Sequence, residues 1–495
     1  MEIIENQTFK PQRPAGSATA LHELIAAFRD GARRARARGL FGAARGFALA
    51  QLAEASQRPL VCVEPSEEAA EALERDLRFF LGKKARPVVR IPADEALPYE
   101  GLTPDRLIAQ ERLSALYRLN LGEARPVVLF SVPSLGRRVL PRAALDRRSL
   151  QLSLEMEQDR DQLALALTAA GYAKVPLVED PGSFAVRGGV FDLWSPLEAQ
   201  PARLEFFGDL IEKIRAFDPQ TQRTIRELTQ VSVCPAREIV LDEEGRKAAI
   251  TTVRAAADAV ETPSRQLRDL IDDLGTHSED DTLFAAGLSA LLPGFYPGGL
   301  SPVTEYLPHD AIWVLDDPLE LERQWGDLWT RLQQSFTEAR RKGELALPPE
   351  QHFLHERDVR PLLDASPVLE LSGLTLGGAE AAVGTAEIAF DLQPTADLRG
   401  EIATHHGEDG ALAPLIKRLE SLGLLARTRD PADERQVRVR LTARGRTLRE
   451  EALEIPACIL AASGLKPQDL RRLTSELAAL RSALEKYSAD STAGA

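Results

Sequence analysis

The sequence has little cysteine and no long apolar run, and both absences restrict the class of protein. Its 495 residues include three cysteines, Cys62, Cys234 and Cys458, which lie far apart and match no paired metal-ligand spacing. We therefore expect a reducing compartment and no structural disulfide. No stretch approaches the length of a membrane span, and the N-terminal residues lack the apolar centre of a signal peptide. The cytoplasm is the expected location, without a membrane partner.

An excess of positive charge is also missing from most of the chain. The formal charge of -14 argues against a basic coat for nucleic acid, because phosphate binding depends on concentrated lysine and arginine. The charge is uneven, since residues 411–495 contain 15 Lys and Arg against 11 Asp and Glu. Any DNA contact is therefore expected in this C-terminal segment. With 44% hydrophobic residues, the chain should fold into several domains.

The sequence lacks a complete phosphate-binding loop. Such a loop needs glycines that let backbone N–H groups surround phosphate, followed by Gly-Lys-Ser/Thr. The stretch that contains Gly39, Gly42, Arg45 and Gly46 has the glycines but not that ending. It is either a degenerate phosphate loop or a turn before a packing helix.

Three further patterns fall short of a catalytic or metal site. Asp316 and Asp317 follow an apolar strand, as in a magnesium-binding segment, but they also suit the start of a helix. His352 and His355 beside Glu356 differ from the common zinc-protease orders, so a solvated surface is the competing interpretation. No G-x-S-x-G elbow occurs, and no cysteine has a recognisable catalytic setting. We expect no catalytic residue, no metal and no cofactor.

The first 147 residues alternate apolar strands with amphipathic helices, which predicts a parallel α/β domain. Ser66 suits the N-cap of its first clear helix. The pattern returns over residues 236–370, which we interpret as the second part of the same domain. The predicted strands are Pro59–Val63, Val88–Ile91, Val127–Val132 and Ile312–Leu315, and the predicted helices are Pro104–Leu119, Ser264–Leu274 and Leu319–Lys342.

Between these two parts, residues 148–235 change to short strands in quick succession. Leu150, Leu152 and Leu154 alternate with polar residues, and Gly208-Asp209 is a two-residue hairpin signal. The segment is predicted to be an inserted antiparallel α+β domain. Its other predicted strands are Phe184–Arg187, Gly189–Trp194, Arg203–Phe207 and Leu210–Phe217.

The last two segments are interpreted as fragments. Residues 371–410 contain a Gly- and Ala-rich passage, a strand at Ile388–Leu392 and a helix after Pro394, which suggest a linker and the truncated start of a small α/β domain. In residues 411–495 a helix at Leu412–Leu422 precedes an arginine-rich hairpin and two helices. This order predicts a partial winged helix with C-terminal helices.

Ordered segments of the chain resemble a DNA-repair family. Leu97–Pro104, Arg112–Leu116, Ala185–Leu193, Leu204–Asp209 and Phe217–Thr224 resemble, in order and spacing, stretches shared by the Mfd family of transcription-repair coupling factors and by UvrB. The resemblance implies a degenerate RecA/UvrB-like α/β domain without an ATP site and an insert that binds UvrA. It also implies that the family's RNA-polymerase-binding, motor and regulatory domains are not in this chain.

The resemblance points to a UvrA contact within the insert. Arg187 is the first candidate, because an arginine with a hydrophobic neighbour is a common hot-spot composition. Phe191, Arg203, Phe207 and Lys174 are the further candidates. For Phe191 the alternative is a core position, as expected for alternate residues of a strand. The function implied is that of a non-catalytic adaptor in transcription-coupled nucleotide excision repair.

From Leu412 the sequence resembles the OhrR branch of MarR regulators, through Leu412–Glu420, Gly423-Leu424, Arg429–Arg435 and Leu441-Thr442. The alternative function is therefore a DNA-binding transcription regulator. The competing interpretation is that the charged hairpin is only a solvated surface. The C-terminal helices are the candidate elements for homodimerisation, but the family's N-terminal dimerisation helix has no counterpart ahead of Leu412, which argues against a dimer. The implied DNA-binding residues are Lys417, Arg418, Arg427, Arg429, Arg435 and Arg438.

Overall fold

The computed structural model describes residues 15–82, 86–102, 104–239, 243–258, 288–372, 385–392, 413–430 and 433–452. The chain divides into two units, residues 1–394 and residues 395–495. None of the described helices is both long and apolar enough to cross a bilayer. The predicted helix Ser264–Leu274 lies outside the described residues.

The first unit combines parallel and antiparallel sheets with helices between them. Its strands are β1 (Arg34–Arg38), β2 (Leu60–Glu64), β3 (Val88–Arg90), β4 (Val127–Ser131), β5 (Arg138–Val139), β6 (Leu150–Ser153), β7 (Ala173–Lys174), β8 (Ser183–Arg187), β9 (Val190–Trp194), β10 (Ala202–Phe207), β11 (Leu210–Phe217), β12 (Thr224–Leu228), β13 (Gln230–Val233), β14 (Ser301–Pro302), β15 (Ile312–Asp316), β16 (Val368–Ser372) and β17 (Ala386–Ala389). Its helices are α1 (Ala15–Arg29), α2 (Ala43–Ser56), α3 (Glu67–Leu81), α4 (Arg106–Asn120), α5 (Val132–Gly136), α6 (Arg142–Arg147), α7 (Arg160–Ala169), α8 (Glu243–Asp258), α9 (Pro318–Arg341), α10 (Pro349–His352) and α11 (Glu356–Ala365), with 3-10 turns at Leu288–Phe295 and Val303–Tyr306.

A seven-stranded parallel sheet in the order β17-β1-β16-β15-β2-β4-β3 confirms the predicted parallel α/β domain. Every residue of β2 and β4 is buried, as expected for central strands covered on both faces. Helix α3 begins where the sequence indicates, because the Ser66 side chain accepts a hydrogen bond from the Ala69 N–H.

The prediction that residues 371–410 open a separate small α/β domain is wrong for its strand. The strand runs over Ala386–Ala389, slightly ahead of the predicted Ile388–Leu392, and pairs in parallel with β1 at the edge of the main sheet. Ile388 is buried in the same core as Leu369 and Leu371 of β16. The strand therefore completes the first sheet.

Strand β1 reads Arg-Ala-Arg-Ala-Arg and was not predicted. Ala35 and Ala37 are buried in the core, whereas the arginines lie on the other face of the sheet. There Arg36 donates two hydrogen bonds to Glu370, at 2.7 and 2.9 Å, and Arg38 pairs with Glu387 at 3.1 Å. Acidic residues on the neighbouring strands β16 and β17 thus provide the opposite charges that allow an arginine-rich strand within the sheet.

The insert is built on a six-stranded sheet in the order β12-β11-β10-β9-β8-β7, antiparallel except for the β7–β8 pair. The predicted Gly208-Asp209 hairpin is confirmed, with Phe207 opposite Leu210. On the inner face Phe184 and Phe191 stack with their ring centroids 5.5 Å apart. A two-stranded ribbon of β6 and β13 forms the entry and exit of the insert.

Helix α4 of the α/β domain contacts the insert directly. The Arg106 guanidinium donates to the carbonyls of Pro181 and Gly182, at 3.2 and 2.7 Å, and Gln110 donates to Pro181 at 3.2 Å. A Cβ on Gly182 would lie 2.4 Å from the Gln110 amide nitrogen. A larger residue there would displace the Gln110 and Arg106 side chains that make this contact.

Two arginines and two acids form a buried ion-pair network beside this contact. Arg112 has no exposed side-chain surface and donates to Glu238 at 2.8 Å and to Asp94 at 2.9 Å. Arg137 pairs with the same acids, at 2.8 and 2.6 Å. Because Glu238 follows the last strand of the insert, the network joins the exit of the insert to α4 and to the loop after β3.

The second unit contains α12 (Ala413–Ser421), β18 (Leu425–Asp430), β19 (Asp433–Leu441) and α13 (Ala443–Ala452). The strands form an antiparallel hairpin, with Leu425 opposite Leu441. Gly423 follows the end of α12 by two residues, and its φ of 68° is the left-handed geometry common after a helix C-terminus. The predicted helix and arginine-rich hairpin are therefore present.

Replacing Glu238 with Gln should destabilise the first unit by about 3–5 kcal/mol, because Arg112 and Arg137 stay buried while one of their two acids is lost. Burial by itself would raise the pKa of Glu238, but the two arginines hold it at about 2, against an ordinary 4.5. The stability it contributes is therefore present above pH 4.5 and lost as the pH falls towards 2.

Urea unfolding at pH 7 and pH 3 measures this effect. The control is Glu123→Gln, which removes a surface ion pair with the part-exposed Arg118 and should cost under about 1 kcal/mol. Equal costs for the two variants at pH 7 would contradict a special role of the buried network.

Candidate interaction surfaces

The outward face of the insert sheet carries a row of charged residues centred on Asp192. Cross-strand pairing puts Ala185, Asp192, Arg203 and Arg215 side by side on this face. The Asp192 carboxylate is fully buried and accepts two hydrogen bonds from Arg203, at 2.7 and 2.9 Å. Arg187 donates to the same carboxylate. One buried acid thus orients two arginines.

The two arginines differ in how much of each side chain remains available. The Arg203 guanidinium lies 4.5 Å from the Phe217 ring centroid and is 20% exposed. Arg187 is 46% exposed and follows Val186 at the end of β8, ahead of a turn of two glycines. Arg203 therefore mainly holds the face together, and Arg187 presents its charge to solvent.

An exposed aromatic ring stands at the tip of the neighbouring hairpin. Phe207 is 79% exposed, whereas Phe206 lies on the opposite face with its ring centroid 6.5 Å from that of Phe191. Gly208 has a φ of 62° and permits the tight turn that follows. On the same outward face Glu205 accepts from Arg215 at 2.5 Å. The result is an apolar ring beside a charged sheet face.

The remaining two insert candidates lie elsewhere. Phe191 is completely buried, so its position favours the core alternative, and we remove it from the proposed contact set. Lys174 is exposed on the edge strand β7. It lies beside β8, which carries Arg187, so the two cations belong to adjacent strands.

The predicted degenerate phosphate loop lies between β1 and α2, but its residues have packing partners. A Cβ on Gly39 would lie 2.2 Å from the Phe390 carbonyl oxygen, and one on Gly46 would lie 2.5 Å from the Asp76 Cβ. Gly42, with a φ of 50°, is the N-cap of α2. Packing and backbone geometry therefore explain the glycines at these positions without a bound phosphate.

Arg45 projects from the start of α2 to the carboxyl ends of β2 and β15. It donates to Asp316 and lies 3.2 Å from the Glu64 carboxylate, which has no exposed surface. Burial raises the pKa of Glu64 well above its usual value, and the charge of Arg45 opposes that shift. A guanidinium therefore occupies the space between the two acids.

The other candidate metal residues are committed to the fold. Asp317 caps α9 by accepting from the Glu320 N–H. His352 is buried against the Ala290 carbonyl at 3.1 Å, and burial lowers its pKa to about 3. His355 caps α11 instead. Among the described residues no group of three or more His, Cys, Asp or Glu could hold a metal ion.

In the second unit the candidate DNA contacts lie on a helix and the hairpin that follows it. Lys417 and Arg418 are exposed on α12. Arg427 is on β18 and pairs with Glu420 at 3.0 Å. The backbones of the other three candidates are in the hairpin strands, and their side chains lie outside the described residues; they are Arg429, Arg435 and Arg438.

Sequence reasoning missed the acids that organise these surfaces. Asp192 is the polar residue between Phe191 and Leu193 in an otherwise apolar strand, and that irregularity was a signal for an outward carboxylate. Glu64 ends an apolar strand and gave the same kind of signal. Glu238 lies in an irregular segment and gave no local sign of its partner Arg112.

Comparison with protein families identifies two regions. Residues 150–239 match the UvrB interaction domain, and residues 397–445 match a winged helix DNA-binding domain. The first match covers the insert from β6 to the segment that contains Glu238. The second includes α12 and the hairpin.

Similar proteins agree with the first match. The chain is 45% identical over 395 residues to a transcription-repair-coupling factor from Myxococcus xanthus, covering 78% of this chain and 32% of the relative. It is 29% identical over 334 residues to that of Escherichia coli, covering 67% and 28%. It is also 29% identical over 257 residues to the UvrABC system protein B of Kosmotoga olearia, covering 49% and 38%. The chain thus spans about a third of the length of these relatives. It is a homologue of the transcription-repair-coupling factors and contains a UvrB interaction domain.

Proposed function

We propose that this chain is a non-catalytic adaptor of transcription-coupled DNA repair whose insert binds UvrA. The observation that carries the proposal is the outward face of the insert sheet, where the Arg187–Asp192–Arg203 cluster lies beside the exposed Phe207 ring. The UvrB interaction domain covers this face, which supports a partner from the same repair system.

The composition of this face suits recognition by a protein partner. Aromatic and arginine side chains are enriched among residues that dominate binding energy. Phe207 can enter an apolar pocket, while Arg187 meets acidic groups at its margin. The Asp192 carboxylate already orients Arg187, so less side-chain freedom is lost on binding.

The non-catalytic part of the proposal is supported by Arg45. Its guanidinium pairs with Asp316 and Glu64 at the sheet edge where a P-loop protein of this strand-loop-helix order would place its phosphates and metal. A nucleotide would have to displace these ion pairs. ATP hydrolysis by the purified chain above a buffer blank would contradict this part of the proposal.

A second candidate function is DNA binding through the second unit, as in MarR/OhrR-type regulators. The match to a winged helix DNA-binding domain favours it. A helix such as α12 can enter the major groove through Lys417 and Arg418, and the hairpin can contact phosphate. This candidate is independent of the insert, and the two can be tested separately.

Phe207→Ala and Arg187→Ala should each weaken binding of purified UvrA at least tenfold without destabilising the chain. Phe207 is exposed, and Asp192 keeps its Arg203 partner when Arg187 is lost. Biolayer interferometry gives the affinities, and thermal unfolding checks the fold.

Phe79→Ala is the matched control, because Phe79 is also 79% exposed but lies on α3 of the α/β domain. It should bind UvrA like the wild type. Undiminished binding by both insert variants would rule out this face as the UvrA contact.

The double variant Lys417→Ala/Arg418→Ala should reduce the salt dependence of DNA binding, since each lost phosphate contact lowers the slope of log K against log salt by about 0.9. Fluorescence anisotropy with a labelled duplex at several salt concentrations measures the slope. Arg75→Ala/Arg78→Ala on α3 is the charge-matched control. Identical slopes for wild type and both variants would exclude α12 from the DNA contact.

Arg45→Met should destabilise the first unit by about 3–5 kcal/mol at pH 8, because Glu64 and Asp316 then face each other without a cation. The cost should be smaller at pH 5.5. A carboxyl whose pKa is raised in the folded state favours folding at low pH, and that contribution is lost as the pH rises through the raised value.

Chemical unfolding at the two pH values tests this, with Arg45→Met/Glu64→Gln as the companion variant. Removing the uncompensated acid should recover part of the stability at pH 8. A cost that is independent of pH would show that Arg45 acts through packing alone.

A further inference from the structure

A cleft of about 350 Å³ opens in the first unit beside the buried ion-pair network. It lies between the loop after β3, the start of α4, the segment that leaves the insert, and the 3-10 turn Leu288–Phe295. Most of its surface is apolar. The apolar lining includes Leu97, Pro98, Leu102, Ala109, Leu292 and Leu300.

The charged lining of the cleft is dominated by arginine. Its two acids, Asp94 and Glu238, are already paired with Arg112 and Arg137. Arg138, also in the lining, donates to the neutral Glu350 carbonyl at 3.0 Å, so its charge is not cancelled by that contact. The field in the cleft therefore favours an anion.

One buried donor in the lining also lacks a hydrogen bond. Arg137 is 8% exposed, and its Nε forms no hydrogen bond within the described part of the chain. This nitrogen has almost no exposed surface, so Arg137 adds positive charge beside the cleft while its Nε makes no contact with a ligand.

We propose that this cleft binds a small amphipathic anion, with an apolar or aromatic body against Leu97, Ala109 and Leu292 and an acidic group near Arg138 and Arg137. The volume is at the small end of the range for ligand pockets. Because Ala236 and Glu238 line the cleft and leave the insert, a bound ligand stabilises the junction between insert and α/β domain. This site is separate from the proposed UvrA contact face.

The probe for the test is 8-anilinonaphthalene-1-sulfonate, an aromatic sulfonate whose fluorescence rises in apolar surroundings. Titration of the full chain should show saturable binding and a higher unfolding temperature. Ala109→Phe fills the cleft and should weaken binding at least tenfold. Arg138→Gln should weaken it about fivefold.

Two control variants keep the side-chain changes but move them out of the cleft. Leu107→Phe alters an exposed residue of the same helix, and Arg75→Gln removes an exposed charge on α3. Both should bind the dye within twofold of the wild type, as should Phe207→Ala, which separates this proposal from UvrA binding.

Equal dye binding by wild type and Ala109→Phe would overturn the proposal, because the dye would then sit on exposed aromatic residues. If circular dichroism shows that Ala109→Phe does not fold, Ala109→Leu takes its place with the same expected direction. Loss of binding in Ala109→Phe with no effect of Arg138→Gln would overturn the anionic part and show a purely apolar site.

Discussion

The buried network of Arg112, Arg137, Asp94 and Glu238 is the interaction on which the arrangement of the first unit depends. The insert is connected to the α/β domain by only two chain segments, and a pair of short strands could not by itself fix its orientation. Opposite charges that have left water must stay paired, since separating them leaves uncompensated charge in the interior. The network therefore permits one placement of Glu238 relative to α4, and the hydrogen bonds from Arg106 and Gln110 add to that restriction.

A similar arrangement also fixes the positions of charged side chains on the insert face. Asp192 is a buried carboxylate that holds Arg203 and Arg187, just as Glu238 holds Arg112 and Arg137. In the junction all four charges are buried and the result is rigidity. On the insert face one arginine remains half exposed, and the result is a charge held in place at the surface. An interface whose side chains are already oriented loses less conformational freedom when a partner binds.

Local patterns in the sequence predicted those elements whose structure depends on residues close by in the chain. The apolar strands β2 and β4, the Ser66 cap and the Gly208-Asp209 hairpin each depend on neighbours within a few residues. Strand β1 could not be found this way, because Arg36 depends on Glu370 and Glu387, both over three hundred residues later. The predicted assignment of β17 to a separate domain was wrong for the same reason, because only its pairing with β1 places it in the main sheet. The candidate arginines were found by resemblance, whereas the acids that orient them depend on strand register.

Arg45 shows why resemblance in topology does not carry chemistry with it. A strand, a glycine-containing loop and a helix occur in the order that phosphate binding uses, and two acids end neighbouring strands. In a nucleotide-binding site those acids would act on a metal supplied with the substrate. Here the cation belongs to the protein and is covalently attached to α2, so it pairs with both acids whether or not a ligand is present. The ion pairs at this edge of the sheet therefore stabilise the fold. We assign partner binding to the insert instead, because its exposed Arg187 and Phe207 are not part of the core.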